Sequence, residues 1–170
     1  MQDLKKIKSD KTMLYPFLKT RFQALTGEIR YPLANLANTS ALIYELLEDI
    51  NWAGFYLLQN NLLILGPFQG RPACVRIPIG NGVCGTAVQN DEAIVVPDVH
   101  KFPGHIACDS ASRSEIVIPI HADGKVVGVL DIDSPILSRF DTEDLNGLMA
   151  IIKLMEQQIP SFIPLQDSDK

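Results

Sequence analysis

Basic charge is in short supply in this chain. Its 170 residues carry 15 lysines and arginines against 20 aspartates and glutamates, giving a formal net charge of −5 and a pI near 5.1. No basic stripe can neutralise phosphates, which argues against a nucleic-acid partner. The one basic cluster, Lys5, Lys6, Lys8 and Lys11, reads as a solvated helix face or a fraying terminus rather than a membrane-binding patch. Long apolar runs are also lacking: none approaches the ~20 residues of a transmembrane helix. The segment MQDLKKIKSDK is polar where the apolar region of a secretory signal would begin. Cysteine is scarce, with only Cys74, Cys84 and Cys108. An odd number without secretory signs points to thiols in the reducing cytoplasm, not to a disulfide framework. There is no C-x-x-C pair, and His100 and His105 are the only closely spaced histidines, so no metal site is expected. Both histidines read as polar loop residues.

What is present suits one globular domain with a sizeable core: 46% hydrophobic and 21% charged residues. Leu14, Phe17, Leu18, Phe22 and Leu25 recur at helical spacing over 10–26, with Pro16 in the first turns and Gly27 as a C-cap. Pro32 opens a second helix. The runs WAGFYLL and NLLILGPF flank Asn60-Asn61 and read as a hairpin. ACVRIPI reads as a strand, VCGTAVQND as a short helix and AIVVPDV as another strand. Residues 99–114 form a loop, and EIVIPIHADGKVVGVLDID is a hairpin around Asp123-Gly124. Asp141 to Asp144 cap a closing amphipathic helix, and the tail beyond Pro160 reads as partly disordered. Terminal helices around neighbouring antiparallel strands define an α+β domain.

Gly80-Asn81-Gly82-Val83-Cys84-Gly85 matches the dinucleotide fingerprint G-x-G-x-x-G, with Asp98 downstream. The following helix is too short to cross a parallel sheet, and no βαβ series accompanies it, so nicotinamide binding is rejected. The glycines leave backbone N–H groups free to face an anion such as an amino-acid carboxylate. Glu115 starts an otherwise apolar strand, while Asp131 and Asp133 share one face of theirs. They are either a solvated strand end or a pocket cluster with a raised pKa, able to deliver a proton. Trp52 and Tyr56 share a strand face, as core or as an aromatic wall for a methyl group or sulfur. Cys84 sits near a helix N-terminus, which would lower its pKa.

The segments NWAGFY, LILGPFQG, GVCGTA, VPDVHKFPGHIACD, SEIVIPI and GVLDIDS resemble the free methionine-(R)-sulfoxide reductases, a family built on a single GAF domain. The resemblance spans about residues 10–158, with no departure at any cysteine, carboxylate or aromatic position in question. It implies a single GAF-like domain over 1–170, with a core at about 10–158 and a tail at 160–170. Its architecture would be a central antiparallel six-stranded sheet with helices on one side and a ligand pocket on the other. It implies thiol-dependent reduction of free L-methionine-(R)-sulfoxide through a sulfenic acid and an intramolecular disulfide, recycled by thioredoxin without a cofactor. Cys108 would be the nucleophile, Cys84 the resolving thiol and Cys74 the alternative resolving thiol. Glu115 and Asp133 would act in catalysis, and Trp52, Tyr56 and Asp131 in substrate binding. A small-ligand GAF sensor and a thiol switch without a substrate are the competing readings. No motif decides between a monomer and a homodimer.

Overall fold

The computed structural model describes residues 4–28, 31–106 and 109–158. Cys108 and the tail segment therefore lie outside the described residues. Three helices come first: α1 (Leu4–Ser9), α2 (Lys11–Thr26) and α3 (Pro32–Leu46). Strands β1 (Trp52–Gln59), β2 (Leu62–Gly70) and β3 (Arg76–Pro78) follow. Then come α4 (Gly82–Asn90), β4 (Ile94–Val96), β5 (Ser114–Ala122), β6 (Lys125–Ser134) and α5 (Thr142–Gln158). The strands form one six-stranded sheet in the order β3-β2-β1-β6-β5-β4, with every neighbour antiparallel.

Turn chemistry fixes the two hairpins. Asn60 and Asn61 have φ of 49° and 62°, and Asp123 and Gly124 have φ of 51° and 73°. Positive φ at both central positions is the two-residue turn whose twist matches that of paired strands, and Asn, Asp and Gly adopt it readily. Side chains hold the helix ends. The Asp10 carboxylate accepts the Thr12 amide at the start of α2. Asp141 and Asp144 cap α5 reciprocally: the Glu143 amide donates to Asp141, and the Asp141 amide donates to Asp144. Pro16 lies in the first two turns of α2, as expected, and does not end it. Gly27 closes α2 at an ordinary right-handed φ of −57°, not in the left-handed conformation typical of a glycine cap.

Strand alternation divides the core in two. On one face Ala53, Phe55, Ile116, Ile118, Ile120, Leu130 and Ile132 pack under α2, α3 and α5. On the other, Trp52, Tyr56, Val117 and Val129 pack with Val83, Cys84 and Ala87 of α4. The expectation of helices on one side thus holds for the long helices, while α4 covers the opposite face. Connectivity explains this: β3 and β4 are at opposite edges of the sheet, and the chain between them crosses that face.

Two expected strands are shorter than their sequence patterns. β3 keeps only Arg76–Pro78, so Cys74 lies outside it, and β4 stops before Pro97. A buried ionic cluster clamps α2 to α5. Asp144, fully buried, accepts from the Tyr15 hydroxyl at 2.6 Å and Lys11 Nζ at 2.7 Å, with Arg139 Nη1 at 3.2 Å.

Candidate active site

The sheet register builds the site. Asp133 faces Trp52 on one side and Glu115 on the other, so the three form one cross-strand row over β1, β6 and β5. Asp131 lies two residues along β6, opposite Gly54 and Val117. All three carboxylates therefore rise from the same face, beneath α4. Glu115 is 5% exposed and Asp131 6%. The solvated-strand-end reading fails on these numbers. Trp52, Tyr56, Cys84, Glu115, Asp131 and Asp133 line one pocket, together with His105, Asp109 and Ser112.

Trp52 has room because Gly54 and Gly70 lack side chains; a Cβ on Gly70 would stand 2.7 Å from the indole. A Cβ on Gly54 would stand 2.6 Å from the indole and 2.4 Å from Phe68 Cβ. The indole stacks on Phe68 at 5.3 Å and on Tyr56 at 5.9 Å, and its Nε1 donates to the Arg71 carbonyl. Phe68 was not legible as part of this wall, because its contact depends on the β1–β2 register. On α4, a Cβ on Gly85 would meet the Pro78 carbonyl at 2.4 Å. Glycine here lets α4 close on β3 and brings Cys84 over the acids. The turn uses some of the N–H groups expected to face an anion: Gly80 donates to Gly85 O and Asn81 to Pro78 O. Gly82 and Val83, at the start of α4, line the pocket.

Electrostatics follow from burial. Glu115 is pushed well above the usual carboxylate range, first by desolvation and then by the Asp131 and Asp133 charges. Asp133 is raised by burial and Asp131, with a hydrogen bond to Ser112 opposing. Asp131 is raised by burial, while Cys84 and Glu115 stabilise its anion. Cys84 corrects the expectation of a lowered thiol pKa. Burial raises it, and Asp131 and Glu115 add to the rise, outweighing the helix terminus. Its Sγ lies 4.0 Å from Glu115 Oε1.

The cysteines differ in state. Cys84 is a free, buried thiol, whereas Cys74 is disulfide-bonded. Cys108, the expected nucleophile, is outside the described residues, but groups near it in sequence face the site. His105 Nε2 stands 3.7 Å from Glu115 Oε2, which corrects its reading as loop polarity. Burial first, then His100, lowers its pKa. Asp109 accepts from Asn51 Nδ2 at 3.1 Å, and Asn51 also donates to Ser112. His100 remains apart, paired with Asp98 on an exposed 3₁₀ turn. Among the described residues, metal-ligating side chains converge at Cys84, Glu115 and Asp131.

A buried acid cluster under a short helix, facing an aromatic wall, makes this a small-molecule pocket on a GAF scaffold. The GAF domain model matches residues 18–159. Within that class the chain belongs to the free methionine-R-sulfoxide reductase family. It is 56% identical over 149 residues to the free methionine-R-sulfoxide reductase of Escherichia coli (strain K12), covering 87% of this chain and 90% of that protein. A reduced-form structure of the Staphylococcus aureus reductase is 56% identical with a TM-score of 0.84, over 85% of this chain and 94% of that one. The Neisseria meningitidis reductase in complex with its substrate is 44% identical with a TM-score of 0.85, over 88% and 90%.

Proposed function

We propose that this chain reduces free L-methionine-(R)-sulfoxide to methionine. The observation that carries the reading is the Glu115–Asp131–Asp133 cluster, with Glu115 and Asp131 buried and Asp133 half-buried, facing Trp52 in one pocket. A sulfoxide sulfur becomes electrophilic once its oxygen is protonated, and carboxyls whose pKa is raised by burial supply that proton. The Cys108 thiolate attacks the sulfur and forms an S–S bond as the protonated oxygen leaves as water; water then attacks the Cys108 sulfur, the S–S bond breaks, methionine leaves and Cys108 becomes a sulfenic acid. A second thiol then condenses with the sulfenic acid, releasing water and forming a disulfide.

Cys74 suits the resolving role better than Cys84, reversing the order expected from the sequence. It is the disulfide-bonded cysteine among the described residues, whereas the pKa of Cys84 is raised and a thiolate there is costly. Cys84 serves instead as a neutral neighbour of the acids. The aromatic wall receives the S-methyl end, Asp131 the ammonium, and the start of α4 the carboxylate. Pairing both main-chain termini of an amino acid explains a preference for the free substrate. Thioredoxin is the reductant, in a reducing cytoplasm.

The test is a coupled assay with thioredoxin, its reductase and NADPH. Free (R)-sulfoxide should be consumed, with the S epimer and peptide-bound sulfoxide poor substrates. Equal turnover of protein-bound sulfoxide would overturn the reading.

A further inference from the structure

The pocket holds a buried donor set that proton transfer alone does not require. Cys84 Sγ, one carboxylate oxygen of Glu115 and one of Asp131 lie within 4.8 Å of one another. They come from α4, β5 and β6, and the residues are 3%, 5% and 6% exposed. Asp131 Oδ1 is buried in this pocket without a hydrogen-bond partner. A buried acceptor with no donor carries a desolvation penalty of about 1–3 kcal/mol, which an incoming cation relieves. An ammonium group can use Asp131, but a sulfur ligand beside two carboxylates favours a thiophilic metal ion.

We propose that Cys84, Glu115 and Asp131 form a binding site for a borderline-soft divalent cation, Zn²⁺ foremost, whose occupancy excludes the sulfoxide substrate. One thiolate and two carboxylates match the S and O ligands of zinc and not the six or more oxygens that calcium needs. Zinc bonds of about 2.3 Å to sulfur and about 2.0–2.2 Å to oxygen require these donors to close in by on the order of 1 Å, within reach of side-chain rotation. Water, or His105, whose Nε2 stands 3.7 Å from Glu115 Oε2 in the same pocket, can supply a fourth ligand. On binding, the Cys84 S–H bond is exchanged for a Zn–S bond, and the thiol proton and any carried by Glu115 and Asp131 leave to solvent, with no change of oxidation state. The ion is an inhibitor here, not a cofactor, because it occupies Glu115, which protonates the sulfoxide, and Asp131, which receives the substrate ammonium. The exclusion clause rests on the function proposed above; the metal site itself does not.

The test uses the full-length chain, reduced, and a Cys74→Ser/Cys108→Ser variant that retains only Cys84. Co²⁺ is the spectroscopic probe, and Zn²⁺ is measured by equilibrium dialysis with metal analysis. Both proteins should bind about one ion, with a thiolate-to-cobalt charge-transfer band. Cys84→Ser, or Cys84→Ala if the first does not fold, should abolish the band. Asp131→Asn and Glu115→Gln should each weaken Zn²⁺ binding at least about tenfold. A band that survives loss of Cys84, a band absent from the double variant, or no binding at all would overturn the site. Saturating free methionine sulfoxide should raise the apparent Kd for Zn²⁺, and an unchanged Kd would overturn the exclusion. A chain that binds the ion at Cys84 but reduces no sulfoxide would refute the proposed function and leave the metal site standing.

Discussion

The Tyr56 hydroxyl donates a 3.0 Å hydrogen bond to the main-chain carbonyl of Cys74. One residue thus forms part of the aromatic wall and tethers the segment carrying a disulfide-bonded cysteine. The same bond satisfies a carbonyl just outside β3. Tyr56→Phe should therefore slow disulfide formation more than methionine release. Rapid-quench methionine release and thiol counting on the same samples measure the two steps. Equal slowing of both would mean that the hydroxyl has no part in placing Cys74.

The cysteine roles separate by stoichiometry. Cys108→Ser should release no methionine. Cys74→Ser should release about one methionine per enzyme and then stall, because resolution is blocked. Cys84→Ser should continue past one turnover at a reduced rate. If Cys84→Ser stalls after one turnover and Cys74→Ser continues, Cys84 is the resolving thiol after all.

The acids should act mainly on the transition state. Glu115→Gln and Asp133→Asn are each expected to lower single-turnover methionine release by at least about tenfold, or ~1.4 kcal/mol. Asp131→Asn should act more on apparent affinity. Glu115 and Asp133 are raised by burial and by their neighbours' charges, so the reactive protonated form persists to higher pH than in an exposed carboxylate. Release should fall as pH climbs through the raised values, and Glu115→Gln should flatten that alkaline limb. Wild-type rates in all three variants would remove the acids from the chemistry.

The same burial makes the acids a stability liability. A carboxyl whose folded-state pKa is raised binds its proton more tightly in the folded state. Its contribution is full below the unfolded value of about 4 and is lost as pH rises through the folded value. Glu115→Gln should therefore raise Tm near neutral pH, by roughly 2–4 °C for each kcal/mol recovered. Calorimetry should show the gain shrinking toward pH 4. A gain independent of pH would point to packing instead.

Asp144 lies outside the site and tests the scaffold. Asp144→Ala strands Lys11 and Arg139 against α5 and removes the acceptor of the Tyr15 hydroxyl. The expected loss is about 3–5 kcal/mol, read as a lower midpoint in denaturant. A loss under about 1 kcal/mol would mean the cluster is a well-screened surface network.

Local chemistry made most of the elements legible. Asn60-Asn61 and Asp123-Gly124 set both hairpins because few other residues accept a positive φ at paired positions. Pro32 and Asp141 set helix starts through the backbone groups they satisfy or lack. Alternation placed Asp131 with Asp133 and Trp52 with Tyr56, since a two-residue period needs no partner to be read. Where a partner strand or layer decides, the sequence is silent. The β1–β6–β5 register put Trp52, Asp133 and Glu115 in one row, and connectivity between opposite edges carried α4 under the sheet. Burial then reversed the expected pKa of Cys84 and turned His105 toward Glu115. Dihedral preferences act between neighbours in the chain; desolvation and Coulomb interactions act between neighbours in space, and only tertiary structure creates those.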